Sequence, residues 1–350
     1  MLRTRKACSL RIRMTDVLII QTAFAGDLIL TTPLIAAIAD HFPGAGIDVL
    51  CIPGTAGLLA GNPHVRDAVV YDKRAKRPGL TAMMRRLARS GYDVCVSPHR
   101  SLRSSLLARA SGAAKRIAFD RAAAAWLYTD TVRYDDSAHE VERNCALMTP
   151  LGAAPTGCGR PELYPAEKDR AAVDLLLQGE DDRPLFCMAP GSVWATKRWT
   201  EEGFVKLGRT FAEEYRVVLT GGPDDAALCG RITAALPPGT VNAAGALSFL
   251  ASADLVRRAR ILVSNDSAPV HVASAMGTPV VEIFGATVPA FGFTPSGVPH
   301  RIVERSDLSC KPCAIHGGVR CPIKTFECMQ GLPADDVIRA ARALLAETNP

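Results

Sequence analysis

Short aliphatic and β-branched runs alternate with stretches of helical period along most of the chain. Ten runs read as strands. DVLIIQ (16–21), IDVLCI (47–52), AVVYD (68–72), YDVCVS (92–97) and RIAF (116–119) fall in the first half. LFCMAP (185–190), RVVLTG (216–221), TVNAAG (240–245), RILVSN (260–265) and VVEIFG (280–285) fall in the second. Helices are predicted between them over 27–41, 79–90, 100–111, 201–215, 224–236, 247–258 and 267–276. The strand runs are apolar on both faces, as strands buried in a parallel sheet are. Such alternation predicts an α/β protein with parallel sheets flanked by helices.

Pro, Gly and charge gather over 156–184 and divide the pattern in two. The expected organisation is an N-terminal doubly wound domain over 14–165, a linker and transition helix over 166–183, and a C-terminal doubly wound domain over 184–331. An amphipathic packing helix closes the chain over 332–350. In open α/β sheets, ligands sit at the carboxyl ends of the strands, so two such domains facing each other would share a cleft. The basic start MLRTRKACSLRIRM precedes an apolar stretch. That stretch is interrupted by Gln21, Gly26, Asp27 and Pro33, too polar for a spanning helix. Residues 1–13 are therefore expected to be a disordered extension, with a weak tether to anionic lipid as the alternative.

Composition narrows the partners. The 350 residues carry a net charge of +6, which favours an anionic ligand. Cys51, Cys95, Cys145, Cys187 and Cys229 stand singly in apolar stretches and are expected as free, buried thiols in a reducing compartment. Cys310, Cys313, Cys321 and Cys328 follow a C-x2-C-x7-C-x6-C spacing. A structural zinc is one reading, and two disulfides or four free thiols are the others.

Several stretches could carry chemistry. In QTAFAGDLILTTPL, Asp27 opens a helix after the first strand; it is either a helix-terminal carboxylate or a general base facing the cleft. The loop has no G-x-G-x-x-G, which disfavours a nicotinamide cofactor. In APGSVWATKRWTEEGF, Ser192, Thr196, Lys197 and Arg198 could hold a diphosphate. In SNDSAPVHVASAMGTP, Ser267 and the following amides open a helix that favours an anion. Asp266 suits sugar hydroxyls there, and His271 lies one turn on, either as a ligand or as a packing side chain. Asp224 or Asp225 in LTGGPDDAAL could accept ribose hydroxyls. His99, Arg100, Arg103, Arg109, Lys115 and Arg116 form a basic stretch, in which Arg100 and Arg103 stand nearest a strand end and could meet an anionic acceptor. Few aromatics are interleaved, so single-stranded nucleic acid is a poor candidate.

Taken together, AFAGDLILTTPLI, HRSLRSSLLAR, APGSVWATKRW, TGGPDD, SNDSAPVHVASAMGTPVVEIFGAT and the cysteine loop ending in ECM resemble the glycosyltransferase family that includes the lipopolysaccharide heptosyltransferases. The cysteine loop is similar to that of the type-II enzymes, which add the second heptose. The resemblance implies a GT-B fold, two Rossmann-like domains with the donor in the C-terminal one. It implies inverting transfer of heptose from ADP-heptose to the anionic, lipid-linked Kdo/heptose inner core, with no metal or other cofactor needed for catalysis. The setting it implies is cytoplasmic, in peripheral contact with the inner membrane, with no nucleic-acid partner. By position, Asp27 would be the base, and Ser192, Thr196, Lys197, Ser267 and His271 would hold the diphosphate. Lys197 would also act catalytically on the leaving group. Asp266 would meet the heptose, and Asp224 the ribose side. The competing readings are a related transferase using another nucleotide sugar and a non-catalytic nucleotide-sugar-binding protein.

Overall fold

A computed structural model describes residues 15–74, 79–154, 158–179 and 181–348. The expected extension over 1–13 lies outside them. The first sheet contains β1 (Asp16–Ile20), β2 (Gly46–Cys51), β3 (Asp67–Val70), β4 (Val94–Ser97), β5 (Lys115–Phe119) and β6 (Asp130–Val132). The second contains β7 (Leu185–Ala189), β8 (Arg216–Leu219), β9 (Val241–Asn242), β10 (Ala259–Asn265), β11 (Val280–Phe284) and β12 (His300–Glu304).

Every pairing in both sheets is parallel. The order is β3-β2-β1-β4-β5-β6 in one and β12-β11-β10-β7-β8-β9 in the other. The two orders are the same when each half is numbered from its own first strand. Each is the doubly wound order, whose direction reverses between the first and fourth strands. The expected α/β architecture is present.

The sequence dictates this burial directly. Val17 and Ile19 of β1 enter one core cluster, while Leu18 and Ile20 enter another on the opposite face. In β10, Leu262 and Ile261 divide in the same way. Only a strand covered by helices on both sides can bury consecutive residues like this. The cluster containing Val17 runs on to Leu262 and Val298, so the core is continuous between the halves.

All ten expected strands form. β6 and β12 were not expected: DTV is very short and HRIVE is largely polar, as edge strands are, so neither shows an apolar run. The helix expected over 27–41 is two helices, Ala25–Ile29 and Thr32–His41, the second with Pro33 in its first turn. The helix Glu167–Leu176 falls within the expected linker and packs on Phe249–Arg258.

One cysteine expectation is corrected. Cys145 is not a free thiol but is bonded to Cys158, with a Cα separation of 6.3 Å. The helix Glu140–Ala146 and the chain at Cys158 meet over Leu30 and Phe293, which brings the two thiols together. Cys51, Cys95, Cys187 and Cys229 are free and buried, as expected.

Candidate active site

The direction-reversal point of each sheet opens onto one cleft between the halves. From the first sheet it receives the segment after β1, Phe24 to Asp27; from the second, the loops after β7, β10 and β11. The cavity between them has a volume of about 230 Å³. A larger cavity of about 640 Å³ adjoins it and shares Ser192, Val193, Ser267 and Ala268.

Asp27 occupies the third position of its helix rather than opening it; Phe24 is the N-cap. One carboxylate oxygen accepts the Phe24 amide at 3.2 Å. The helix-terminal and the cleft-facing readings therefore coexist, because that hydrogen bond fixes a carboxylate that still lines the cavity. Burial raises the Asp27 pKa above the ordinary carboxylate value; the Phe24 amide and the positive field of His316 and Lys197 oppose that rise.

Lys197 and Asp266 meet across the cavity floor at 2.7 Å, both largely buried. The Thr287 hydroxyl donates to the same Asp266 oxygen at 2.5 Å. Sequence reasoning had Lys197 and Asp266 serving different parts of a ligand, and the structure makes them one ion pair. Asn265 locks the two loops that carry them. Its side-chain amide donates to the Pro190 carbonyl at 2.8 Å, and its side-chain oxygen accepts the Trp199 amide at 3.1 Å.

Ser267 is the N-cap of the helix Ala268–Met276, yet its hydroxyl makes no capping bond. It donates instead toward the carbonyls of Gly191 at 3.3 Å and Asn265 at 3.2 Å. In the first turn Pro269 has no N–H and the Val270 amide donates to the Ser267 carbonyl at 3.0 Å, so Ser267 and Ala268 are what the helix start brings to the cavity wall. His271, one turn on, is buried, and its Nδ1 has no partner. Burial lowers its pKa to about 4, so it is neutral near pH 7.

Thr196 is placed elsewhere. Its hydroxyl accepts the Gly318 amide at 2.8 Å, and its own amide donates to the Gly318 carbonyl at 3.0 Å. Thr196 thus anchors the cysteine loop and does not line the cavity. Ser192 lines both cavities. Arg198 donates to the Ser192 carbonyl at 2.7 Å, shaping the loop.

Asp224 and Asp225 line the larger cavity with Gly221, Leu247, Phe249 and Val272. Asp225 accepts the Gly222 amide at 3.0 Å, whereas Asp224 is exposed. Acidic groups at one end and an apolar wall at the other suit a ribose and a flat base.

On the N-terminal side, Arg100 stacks over the Tyr134 ring at 4.2 Å, and Arg103 is exposed. His99, grouped with the cations in the sequence, is not one. Burial lowers its pKa to about 4, and its Nδ1 lies 2.9 Å from the Thr22 hydroxyl, tying the segments after β1 and β4 together.

In the cysteine loop, Cys310, Cys313, Cys321 and Cys328 are free thiols, one of the three readings of its spacing, and among the described residues no group of three or more His, Cys, Asp or Glu is placed to hold a metal ion. Cys328 is drawn into the core beside Met329 and Leu332. Cys313 donates to the Cys310 carbonyl, and Cys321 accepts the Phe326 amide. What the loop does supply is Ile315 and His316 to the cleft wall. Sequence reasoning missed both, together with Thr287, Phe24, Phe291 and Phe293. Phe24 and Thr287 lie within the quoted strand-end stretches but were passed over as neither charged nor paired in sequence; Phe291, Phe293, Ile315 and His316 lie beyond those stretches, and only the folded chain brings them to the cleft.

No helix among the described residues is long and apolar enough to cross a membrane. A sequence model of glycosyltransferase family 9 (heptosyltransferase) matches residues 80–318. Lipopolysaccharide heptosyltransferase 3 of Escherichia coli is 30% identical over 281 residues, covering 75% of this chain and 82% of that protein. The family 9 glycosyltransferase of Veillonella parvula superposes with a TM-score of 0.85 at 22% identity, over 95% of this chain and 98% of that one. Escherichia coli ADP-heptose lps heptosyltransferase II does so with a TM-score of 0.79 at 23% identity, over 96% of this chain and all (100%) of that one. The chain is a glycosyltransferase and belongs to glycosyltransferase family 9, the heptosyltransferases.

Proposed function

We propose that this enzyme transfers heptose from ADP-heptose to a lipopolysaccharide inner-core acceptor, with inversion at the anomeric carbon. One observation carries the reading. Asp27 from the N-terminal half, and Lys197, Asp266 and the Ser267 helix start from the C-terminal half, line a single cavity. The adjoining cavity, with Asp224, Asp225 and an apolar wall, takes the adenosine. The fold shared with Escherichia coli ADP-heptose lps heptosyltransferase II supports ADP-heptose as the donor.

In this mechanism the acceptor hydroxyl attacks the anomeric carbon from the face opposite ADP. Asp27 takes the hydroxyl proton as the new C–O bond forms. Its raised pKa makes it a stronger base than an exposed aspartate. The bond to the diphosphate breaks, and ADP leaves with the bonding electrons. Lys197 and the positive end of the helix that starts at Ser267 stabilise charge that grows on the leaving group. Asp266 holds Lys197 in place and, with Thr287, meets the heptose hydroxyls. Arg100 and Arg103 face an acceptor bearing carboxylates or phosphates.

The test is incubation with ADP-heptose and a heptose-deficient acceptor, followed by product mass. A mass gain of one heptose is expected with ADP-heptose and not with UDP- or GDP-sugars. Turnover of those sugars in its place would favour the other-donor reading. Donor binding without any product would favour a binding protein.

A further inference from the structure

Over 305–326, between β12 and the helix Glu327–Gln330, the chain forms no helix or strand. It is nevertheless fastened to the site at several points. The Cys313 amide donates to the Ala286 carbonyl at 2.8 Å, next to Thr287. The Gly318 amide donates to the Thr196 hydroxyl at 2.8 Å, next to Lys197. Gly317, at φ +78°, lies against the Lys197 stem, and a Cβ there would be 3.2 Å from Lys197 Cγ. These contacts hold the tip of the loop, Ile315 and His316, at the cleft wall. Ordering an irregular loop costs conformational entropy, and loops positioned by a rigid scaffold are where binding residues concentrate.

The tip stands at the end of the cleft away from the cavity proposed for adenosine. Phe24, Asp27, Ile315 and His316 line the smaller cavity and not the larger, whereas Ser192 and Ser267 line both. His316 is exposed, and among the described residues no hydrogen bond engages its ring. Burial raises the Asp27 pKa, and of the two charges that oppose the rise, His316 acts more strongly than Lys197, so the imidazole stands within reach of the carboxylate's field.

The same end has an apolar rim. Phe24, at 57% exposure, comes from one half and Ile315, at 46%, from the other. The floor is ionic, with Lys197 and Asp266 paired at 2.7 Å. Exposed apolar side chains around a few polar groups mark a binding site. A sugar ring matches that grading, since its C–H faces are apolar and its edge carries hydroxyls and charged substituents.

We propose that the tip of the cysteine loop is an acceptor subsite: His316 binds an anionic group of the acceptor sugar, a phosphate or a carboxylate, while Phe24 and Ile315 pack on the ring. This deepens the function proposed above and rests on it. The acceptor is then held from both halves, by Arg100 and Arg103 on one side and His316 on the other, with the attacking hydroxyl turned toward Asp27.

The test is steady-state kinetics of the full chain with ADP-heptose and the heptose-deficient acceptor, used intact, phosphatase-treated, or with its carboxylates methyl-esterified. On the intact acceptor, His316→Ala raises the acceptor KM about tenfold, as loss of a charge-assisted hydrogen bond does. It leaves the donor KM and the unfolding midpoint at their wild-type values. His316→Lys keeps a cation and restores most of the acceptor KM, and Ile315→Ser raises it less than His316→Ala does. Val319→Ser, at a position 67% exposed on the same loop but outside the cavity, changes none of these. The gap between wild type and His316→Ala closes on the phosphatase-treated acceptor if the group is a phosphate, and on the esterified one if it is a carboxylate. A gap that survives both treatments overturns the subsite. So does an equal acceptor KM for wild type and His316→Ala on the intact acceptor, with or without a fall in kcat. Absence of product from the wild type refutes the proposed function and the subsite with it, whereas product formed with an unaltered KM in His316→Ala refutes the subsite alone.

Discussion

Glu282 shows how much a single side chain in this site depends on its surroundings. It sits in the middle of β11, fully buried, and neither carboxylate oxygen has a partner. Burial pushes its pKa well above the ordinary 4.5; Asp266 adds to the rise and Lys197 opposes it. A group whose folded pKa is raised stabilises below its unfolded value, and that stability is lost as pH rises toward the folded one. His271 works in the opposite sense. Its pKa falls from 6.5 to about 4, so its contribution is lost as pH falls through that interval. As pH rises from 4.5 the two slopes oppose each other, since Glu282 loses stability while His271 regains it. Glu282→Gln should therefore flatten the fall in unfolding midpoint as pH rises above the ordinary carboxylate value. Thermal melts of both proteins across neutral and alkaline pH would show the curves diverging; parallel curves would mean that Glu282 is ionised in the folded state.

Among the elements, the short helix Ala25–Ile29 matters most, because it carries Asp27 and packs on Ala268–Met276 from the other half. The close approach requires Gly26: a Cβ there would lie 2.8 Å from His271 Cδ2. The His271 ring is buried and has little room to yield. Gly26→Ala should cost about 1–3 kcal/mol, the usual penalty of an overpacked core, and should lower turnover because Asp27 is the next residue. Gly57→Ala, where a Cβ meets nothing within 4 Å, is the matched control and should change neither. Denaturant unfolding and steady-state rates of the two variants provide the check.

This scale also shows what could be read from the chain alone. The inner strands were legible because burial on both faces leaves an uninterrupted apolar run, as in DVLII and VVEIF. Of the four edge strands, β3 and β9 were legible from the short runs AVVYD and TVNAAG, whereas β6 and β12 were not, since DTV is very short and HRIVE needs no such run. Asp27, Lys197, Ser192, Asp266, Ser267 and His271 were legible because each follows a strand end, where open α/β sheets bind ligands. Thr196 also follows a strand end, but its hydroxyl accepts the amide of Gly318, 122 residues away in sequence, a contact that no local pattern announces. His316 left no local signal, because it reaches the cleft on a loop that meets the site only in the folded chain, and Thr287, although it follows β11, declares itself only through its hydrogen bond to Asp266. The bond between Cys145 and Cys158 was hidden likewise, since scattered cysteines do not announce their pairing.

At the scale of the whole molecule, two sheets of the same strand order face one another with their reversal points on a shared cleft. In the proposed mechanism each half supplies what the other lacks: a carboxylate to accept a proton on one side, and a buried lysine with a helix start to hold an anion on the other. The continuous core and the contact between Gly26 and His271 keep those groups in register. The central claim is that Asp27 acts on the acceptor while the opposite half alone binds the donor. The most direct measurement is donor affinity and turnover of Asp27→Asn, each against wild type. The account predicts donor affinity within a few-fold of wild type and turnover lowered about a hundred- to ten-thousand-fold, the range expected for loss of a general base. Turnover near wild type would contradict it, as would a loss of donor affinity large enough to explain the fall in rate.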